Sequence, residues 1–135
     1  MPRVFITGLG FVTSIGNDAT TVVDHLRSLR HGLELYPPFQ TPDIPCKVVG
    51  TIKGFTTDST DPEDWTFPAA YSIKRELLRS MAPSGLYAHC AMLQAIADAR
   101  LTPPEISTAD TGLYAASGGS PYLTHYHHER LQKFG

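Results

Sequence analysis

The sequence predicts an α/β fold, a mixed or parallel sheet covered by helices, and three observations point there. Val4, Phe5 and Ile6 form a short continuous apolar run, the pattern of a strand buried on both faces. Apolar residues at helical spacing then recur in three separate stretches. Thr111 to Ala116 (TGLYAA) reads as a second strand, so strand, helices and strand imply a right-handed crossover with parallel strands.

Taken in order, the first strand turns at Gly8 and Gly10. Asn17 or Asp18 can cap the helix that follows, where Val22, Leu26 and Leu29 fall at i, i+4 and i+7. Arg27, Arg30 and His31 gather where a helix C-terminus favours cations, and Gly32 supplies the stop. From 33 to 70, prolines at 37, 38, 42, 45, 62 and 68 forbid a long element and leave room for a short strand around Lys47 to Ile52. This is a Pro-rich insertion outside the core layer. The Thr, Asp and Ser residues of 56–64 read as a solvated loop in preference to a metal-binding carboxylate group. Ile73, Leu77 and Leu78 mark a helix from Ser72 to about Met81. After Pro83-Ser84-Gly85 a third helix, capped by Ser84, puts Leu86, Cys90, Leu93 and Ala97 on one stripe, while Ala88, Ala91, Ala95 and Ala99 allow close approach of neighbours. Pro103-Pro104 ends that helix. A last helix spans about Pro121 to Phe134, beyond the small-residue loop Ser117-Gly118-Gly119-Ser120.

A chain of 135 residues is the size of one ordinary domain. Thirteen acidic against eleven basic residues leave no field that would draw nucleic acid or an anionic membrane, so neither is an expected partner. Cys46 and Cys90 lie far apart without CxxC or Cys/His ligand spacing, which argues for a reducing cytoplasm and against a disulfide framework. No leader with a basic and then an apolar region opens the chain, and no apolar run reaches the roughly 18 residues of a membrane span, so a soluble, cytoplasmic protein is expected.

Few motifs carry chemistry by themselves. A dinucleotide fingerprint would place a third glycine where Thr13 stands, and no second strand ends in Asp or Glu; a phosphate loop would need a lysine after its glycines, and none is present. On a helix, His125 shares a face with His128 and Glu129, but nothing elsewhere completes a tetrahedral site, and a solvated face is the simpler reading. His89 and Cys90 are adjacent, so they project about 100° apart on a helix and form no dyad. Cys46 and Cys90 both read as small buried hydrophobes, neither of them at the helix N-terminus that would activate a thiolate. Lys74, Arg75 and Arg79 make a small basic cluster best read as a solvated helix face. Catalytic, metal and cofactor residues are accordingly all expected to be none.

The opening segment ITGLGFVTSIGND resembles the N-terminal signature of the β-ketoacyl-acyl carrier protein synthases, a strand followed by T-G-x-G-x-x-[ST]-x-x-G. KVVGTIKGF resembles that family's strand in the early insertion, SIKRELLRSM and the helix ending ADARL its next helices, and TGLYAASGG its following strand and glycine loop. The ordered set covers essentially the whole chain. The resemblance implies that residues 1–135 are the N-terminal portion of a β-ketoacyl synthase-like domain, with the insertion at about 33–70. It also implies the N-terminal part of a thiolase-like layered αβαβα fold. The implied activity is decarboxylative Claisen condensation of acyl and malonyl thioesters in fatty acid or polyketide biosynthesis, with acyl carrier protein and another ketosynthase-like chain, in a homo- or heterodimer, as partners. No cofactor is implied, because a cysteine thioester does the activation.

In that family the nucleophilic cysteine and the two catalytic histidines come from motifs that residues 1–135 do not contain. The chain alone is therefore expected to be inactive. The alternative expectation is a non-catalytic, chain-length-factor-like or accessory subunit that pairs with a true ketosynthase. By resemblance, the loop Ser117, Gly118, Gly119 borders the acyl pocket, and a glycine at 119, where relatives often carry a bulky aliphatic residue, would leave room for a long, rigid or aryl-bearing acyl group. A tight turn needing glycine is the simpler explanation for the same residues.

Overall fold

The computed structural model describes residues 3–118 and 121–134. Five helices, α1 (Ala19–Arg27), α2 (Arg75–Arg79), α3 (Pro83–Asp98), α4 (Pro103–Ile106) and α5 (Pro121–Phe134), accompany two short strands, β1 (Leu33–Leu35) and β2 (Val48–Gly50). Single 3₁₀ turns occupy Pro37–Phe39 and Pro62–Asp64.

α1 begins at Asp18, whose carboxylate accepts the Thr21 hydroxyl at 2.7 Å and the Thr21 amide at 2.8 Å. Those bonds, the hydroxyl's first, hold the Asp18 carboxyl below the usual carboxylate range. The helix ends earlier than the glycine at 32 suggests. Leu29 takes the left-handed conformation at φ 54°, so that Arg30 N–H reaches the His25 carbonyl at 2.8 Å and Leu29 N–H the Leu26 carbonyl at 3.2 Å. Both bonds satisfy carbonyls that the last turn would leave open. α3 closes in the same way through Arg100 at φ 57°, with Leu101 N–H on the Ile96 carbonyl and Arg100 N–H on that of Ala97.

Other helix boundaries also correct the sequence reading. Pro83 occupies the first turn of α3 and Ala82 its cap position, so Ser84 lies inside the helix and caps nothing. Proline suits that first turn because it lacks only an amide hydrogen that no helical carbonyl would have used. Likewise Pro103 and Pro104 begin α4, where Thr102 and Glu105 cap each other, while α3 has already ended at Asp98. α2 is shorter than the stretch 72–81, spanning Arg75–Arg79 only.

The Pro-rich insertion holds the sheet. β1 and β2 pair antiparallel in the register Leu33↔Gly50, Glu34↔Val49 and Leu35↔Val48, and Tyr36 N–H extends the ladder to the Lys47 carbonyl at 2.9 Å. Prolines 37, 38, 42 and 45 are confined to the connection, which leaves both flanks free to donate. Glu34 hydrogen-bonds Thr51 and Lys53 across the hairpin. The stretch 56–64, read as solvated, is exposed at Thr56, Asp58, Glu63 and Asp64, but Thr57 and Pro62 are buried, and the Trp65 indole N–H donates to the Ser59 carbonyl at 2.8 Å. Trp65 thereby covers α3, where Leu86 and Cys90 are fully buried, with Phe55, Phe67, Tyr71, Ile73 and Leu78 packed around them.

The expected mixed or parallel sheet covered by helices is not formed among the described residues. Among the described residues the named strands make one two-stranded antiparallel sheet. Val4 to Ile6 and 111–116 carry no strand assignment, and Val4 and Tyr114 are 95% and 98% exposed. A strand with both faces apolar needs neighbours on its edges and cover on its faces. The described residues supply neither, so they do not by themselves form the layers of an αβαβα arrangement, and the apolar side chains of Phe5, Ile6 and Leu113 face outward as well.

Candidate functional site

Gly8 and Gly10 lie directly on the backbone of α3. A Cβ at Gly8 would stand 2.7 Å from the Ala99 nitrogen, and one at Gly10 would stand 2.8 Å from the Ala91 carbonyl carbon. The alternate residues are gripped by side chains of the same helix. Leu9 N–H donates to the Asp98 carboxylate at 2.9 Å, and Phe11 N–H donates to the Gln94 amide oxygen at 3.1 Å. Gln94 Nε2 lies 3.0 Å from the Phe11 carbonyl, 2.8 Å from the Asn17 carbonyl and 2.6 Å from the Tyr71 hydroxyl, with two hydrogens to share among three oxygens. A phosphate loop offers its amides to a ligand. Here those of Leu9 and Phe11 are already taken, which argues against nucleotide binding on grounds independent of the missing third glycine.

Of the three pocket residues expected from the sequence, Ser117 and Gly118 are exposed, and a Cβ at Gly118 would meet nothing within 4 Å. Gly119 lies outside the described residues. An open groove of about 740 Å³ runs between Ala88, His89 and Met92 of α3, the stretch 113–116 and Met81 with Ala82. It stops one residue short of Ser117.

Cys90 sits mid-helix in the core, and burial pushes its thiol pKa up, away from nucleophilic chemistry. Cys46 corrects the sequence reading: it is exposed, with Sγ 3.5 Å from the Val48 carbonyl, because the connection leading into β2 runs over the surface. On α5, His125 pairs with Glu129 at 3.0 Å and His128 faces Gln132 at 3.0 Å. Among the described residues no three His, Cys, Asp or Glu side chains are grouped to hold a metal ion.

The basic cluster is partly neutralised within the molecule. Glu63 accepts from Arg75 Nε at 2.7 Å and from Arg79 Nη2 at 2.6 Å, and these guanidiniums, Arg75 first, hold its carboxyl below the usual range. Arg130 of α5 donates to the Met81 carbonyl at 2.8 Å, tying the last helix to the end of α2. Sequence reasoning missed Glu63, Gln94 and Asp98. The signal for the last two was present: polar residues at i and i+4 in the alanine-rich second half of a helix, where Cys90 to Asp98 is otherwise apolar.

Residues 1–134 match the family model described as Beta-ketoacyl synthase, N-terminal domain. The chain is 36% identical over 137 aligned positions to 3-oxoacyl-acyl-carrier-protein synthase 1 of Escherichia coli K12, covering 100% of this chain and 29% of that protein. It is 34% identical over 118 residues to the protein of the same name from Haemophilus influenzae, covering 87% of this chain and 26% of the relative. Against the chloroplastic 3-oxoacyl-acyl-carrier-protein synthase II of Arabidopsis thaliana, identity is 30% over 108 residues, 80% of this chain and 18% of the relative. The chain thus spans between about a fifth and three-tenths of the length of these curated relatives.

Proposed function

Because this chain belongs to the β-ketoacyl synthase family, through that family's N-terminal domain, we propose that it is the scaffold portion of a 3-oxoacyl-acyl carrier protein synthase. The observation that carries the reading is the match of residues 1–134 to that domain. The proposed reaction is the decarboxylative condensation of an acyl thioester with a malonyl thioester of acyl carrier protein, in fatty acid or polyketide biosynthesis. A thiolate takes the acyl group from its carrier. Loss of CO₂ from the malonyl group then leaves an enolate that attacks the acyl carbonyl and expels the thiolate.

Within residues 1–135 neither cysteine suits that step. Cys90 is enclosed with a raised pKa, and Cys46 lies on a surface connection, away from any helix N-terminus among the described residues, with its Sγ beside the Val48 carbonyl. In this reading the reacting thiol and its two histidine partners lie on polypeptide outside residues 1–135, which fits the share of each relative that the chain covers. The outward-facing apolar stretches Val4 to Ile6 and Leu113 to Tyr114 are surfaces such polypeptide would bury. A second ketosynthase-like chain, in a homo- or heterodimer, completes the assembly in the cytoplasm. Among the described residues no helix is long and apolar enough to cross a membrane.

The loop Ser117, Gly118, Gly119 would form part of the acyl pocket wall. Support comes from the apolar groove lined by residues 113–116, which lead into that loop. The test supplies a longer polypeptide, in which residues 1–135 are joined to the part bearing the reacting cysteine and histidines, with acyl and malonyl carrier-protein thioesters of graded acyl length and measures CO₂ release and 3-oxoacyl product. Equal amounts of the two are expected. Gly119→Leu is expected to lower turnover of the longest acyl chains about tenfold relative to short ones, the scale of one added pocket contact. Binding of acyl carrier protein without CO₂ release would assign the accessory-subunit role instead, and absence of both would overturn the reading.

A further inference from the structure

The glycine segment is ordered by a device that no sheet pairing explains. Two residues of extended chain advance about 6.6 Å and four residues of helix about 6 Å, so alternate amides of a strand laid on a helix can meet side chains spaced i and i+4. Leu9 and Phe11 meet Asp98 and Gln94 in that way, while Gly8 and Gly10, on the intervening positions, allow the backbone to touch α3 at Ala91 and Ala95. Gln94 also returns a hydrogen to the Phe11 carbonyl, so that one carboxamide serves both peptide groups of that residue, as a neighbouring strand would.

We propose that Gln94 and Asp98 are positioning residues that hold Leu9 to Phe11 in extended register on α3, standing in for a neighbouring strand and closing that edge to further pairing. Peptide groups of successive strand residues point to opposite edges. A sheet partner can therefore reach this stretch only through Gly8 and Gly10, on the edge the clamp leaves open. Phe11 marks the point at which any ladder on the clamped edge must already have ended. The clamp joins three parts of the chain, because the same Gln94 nitrogen reaches the Asn17 carbonyl at the entrance to α1 and the Tyr71 hydroxyl ahead of α2.

Amide hydrogen exchange resolved at single residues tests this in the protein with or without condensing activity, so it stands apart from the proposed reaction. The Leu9 and Phe11 amides are expected to be protected although neither belongs to a helix or ladder. Gln94→Ala should speed exchange at Phe11, and Asp98→Ala at Leu9, each by about tenfold or more, as for loss of one hydrogen bond of ordinary strength. Asp98→Asn, which keeps an acceptor oxygen, should restore protection at Leu9. Throughout, the α3 amides of Leu93 and Ala95 serve as the control and should not change. If Gln94→Ala fails to fold, the two Asp98 variants decide the matter. Unprotected Leu9 and Phe11 amides in the native protein, or an Asp98→Ala variant that leaves Leu9 exchange unaltered, would overturn the proposal.

Discussion

Leu29 holds a left-handed backbone at φ 54° while its side chain stands 90% exposed. The position has the conformational cost of a Cβ with no compensating burial, about 1–2 kcal/mol for a left-handed L-residue. Leu29→Gly is therefore expected to stabilise the protein by up to about 1 kcal/mol, after allowing for the extra freedom of glycine in the unfolded chain. Urea unfolding with an unchanged slope and a higher midpoint would show it. The same residue explains a limit of the sequence. Gly32 was the visible stop signal, but helix closure needs carbonyl acceptors at fixed offsets, and those offsets selected Leu29. Cys46 was misread for a related reason, since burial depends on where a connection runs and residue type does not report that. Cys90, on the apolar stripe of a periodic helix, was legible as core.

Among the helices, α1 and α3 were legible because apolar periodicity and turn residues agreed, and they differ from expectation only at their ends, while α5 spans the expected Pro121–Phe134. The hairpin was half legible. Lys47 to Ile52 announced β2, but Leu33 to Leu35 is too short to show alternation and was taken into the insertion. Pairing between the segments at 4–6 and 111–116 is a property of neighbours, so a continuous apolar run could indicate a strand without indicating whether its partner is near. The seam between Gly10 and α3 yields a prediction of its own. Gly10→Ala would set a methyl against the backbone of Ala91, and the expected cost is about 1–3 kcal/mol, that of overpacking a close contact. Because the obstacle is a carbonyl and not a side chain, Ala91→Gly should fail to rescue it. Thermal unfolding of the single and double variants checks both statements, and full rescue would show that the contact is with the alanine methyl instead.

For the molecule as a whole, the ordered motifs along the chain identified the family, while no single motif did. The architecture was less legible, since layering depends on surfaces that residues 1–135 present but do not cover. Leu113 and Tyr114 line an open groove, where a parallel sheet would have enclosed them. Around the candidate site, the core place of Cys90 was legible, whereas the exposure of Cys46 and the grip of Gln94 and Asp98 on the glycine segment were not. The most direct measurement is intact mass spectrometry of residues 1–135 after native incubation with an acyl carrier-protein thioester. An unchanged mass is expected, with neither Cys46 nor Cys90 acylated, and a stoichiometric acyl adduct on Cys90 in the folded chain would contradict the assignment of the reacting thiol to polypeptide outside residues 1–135.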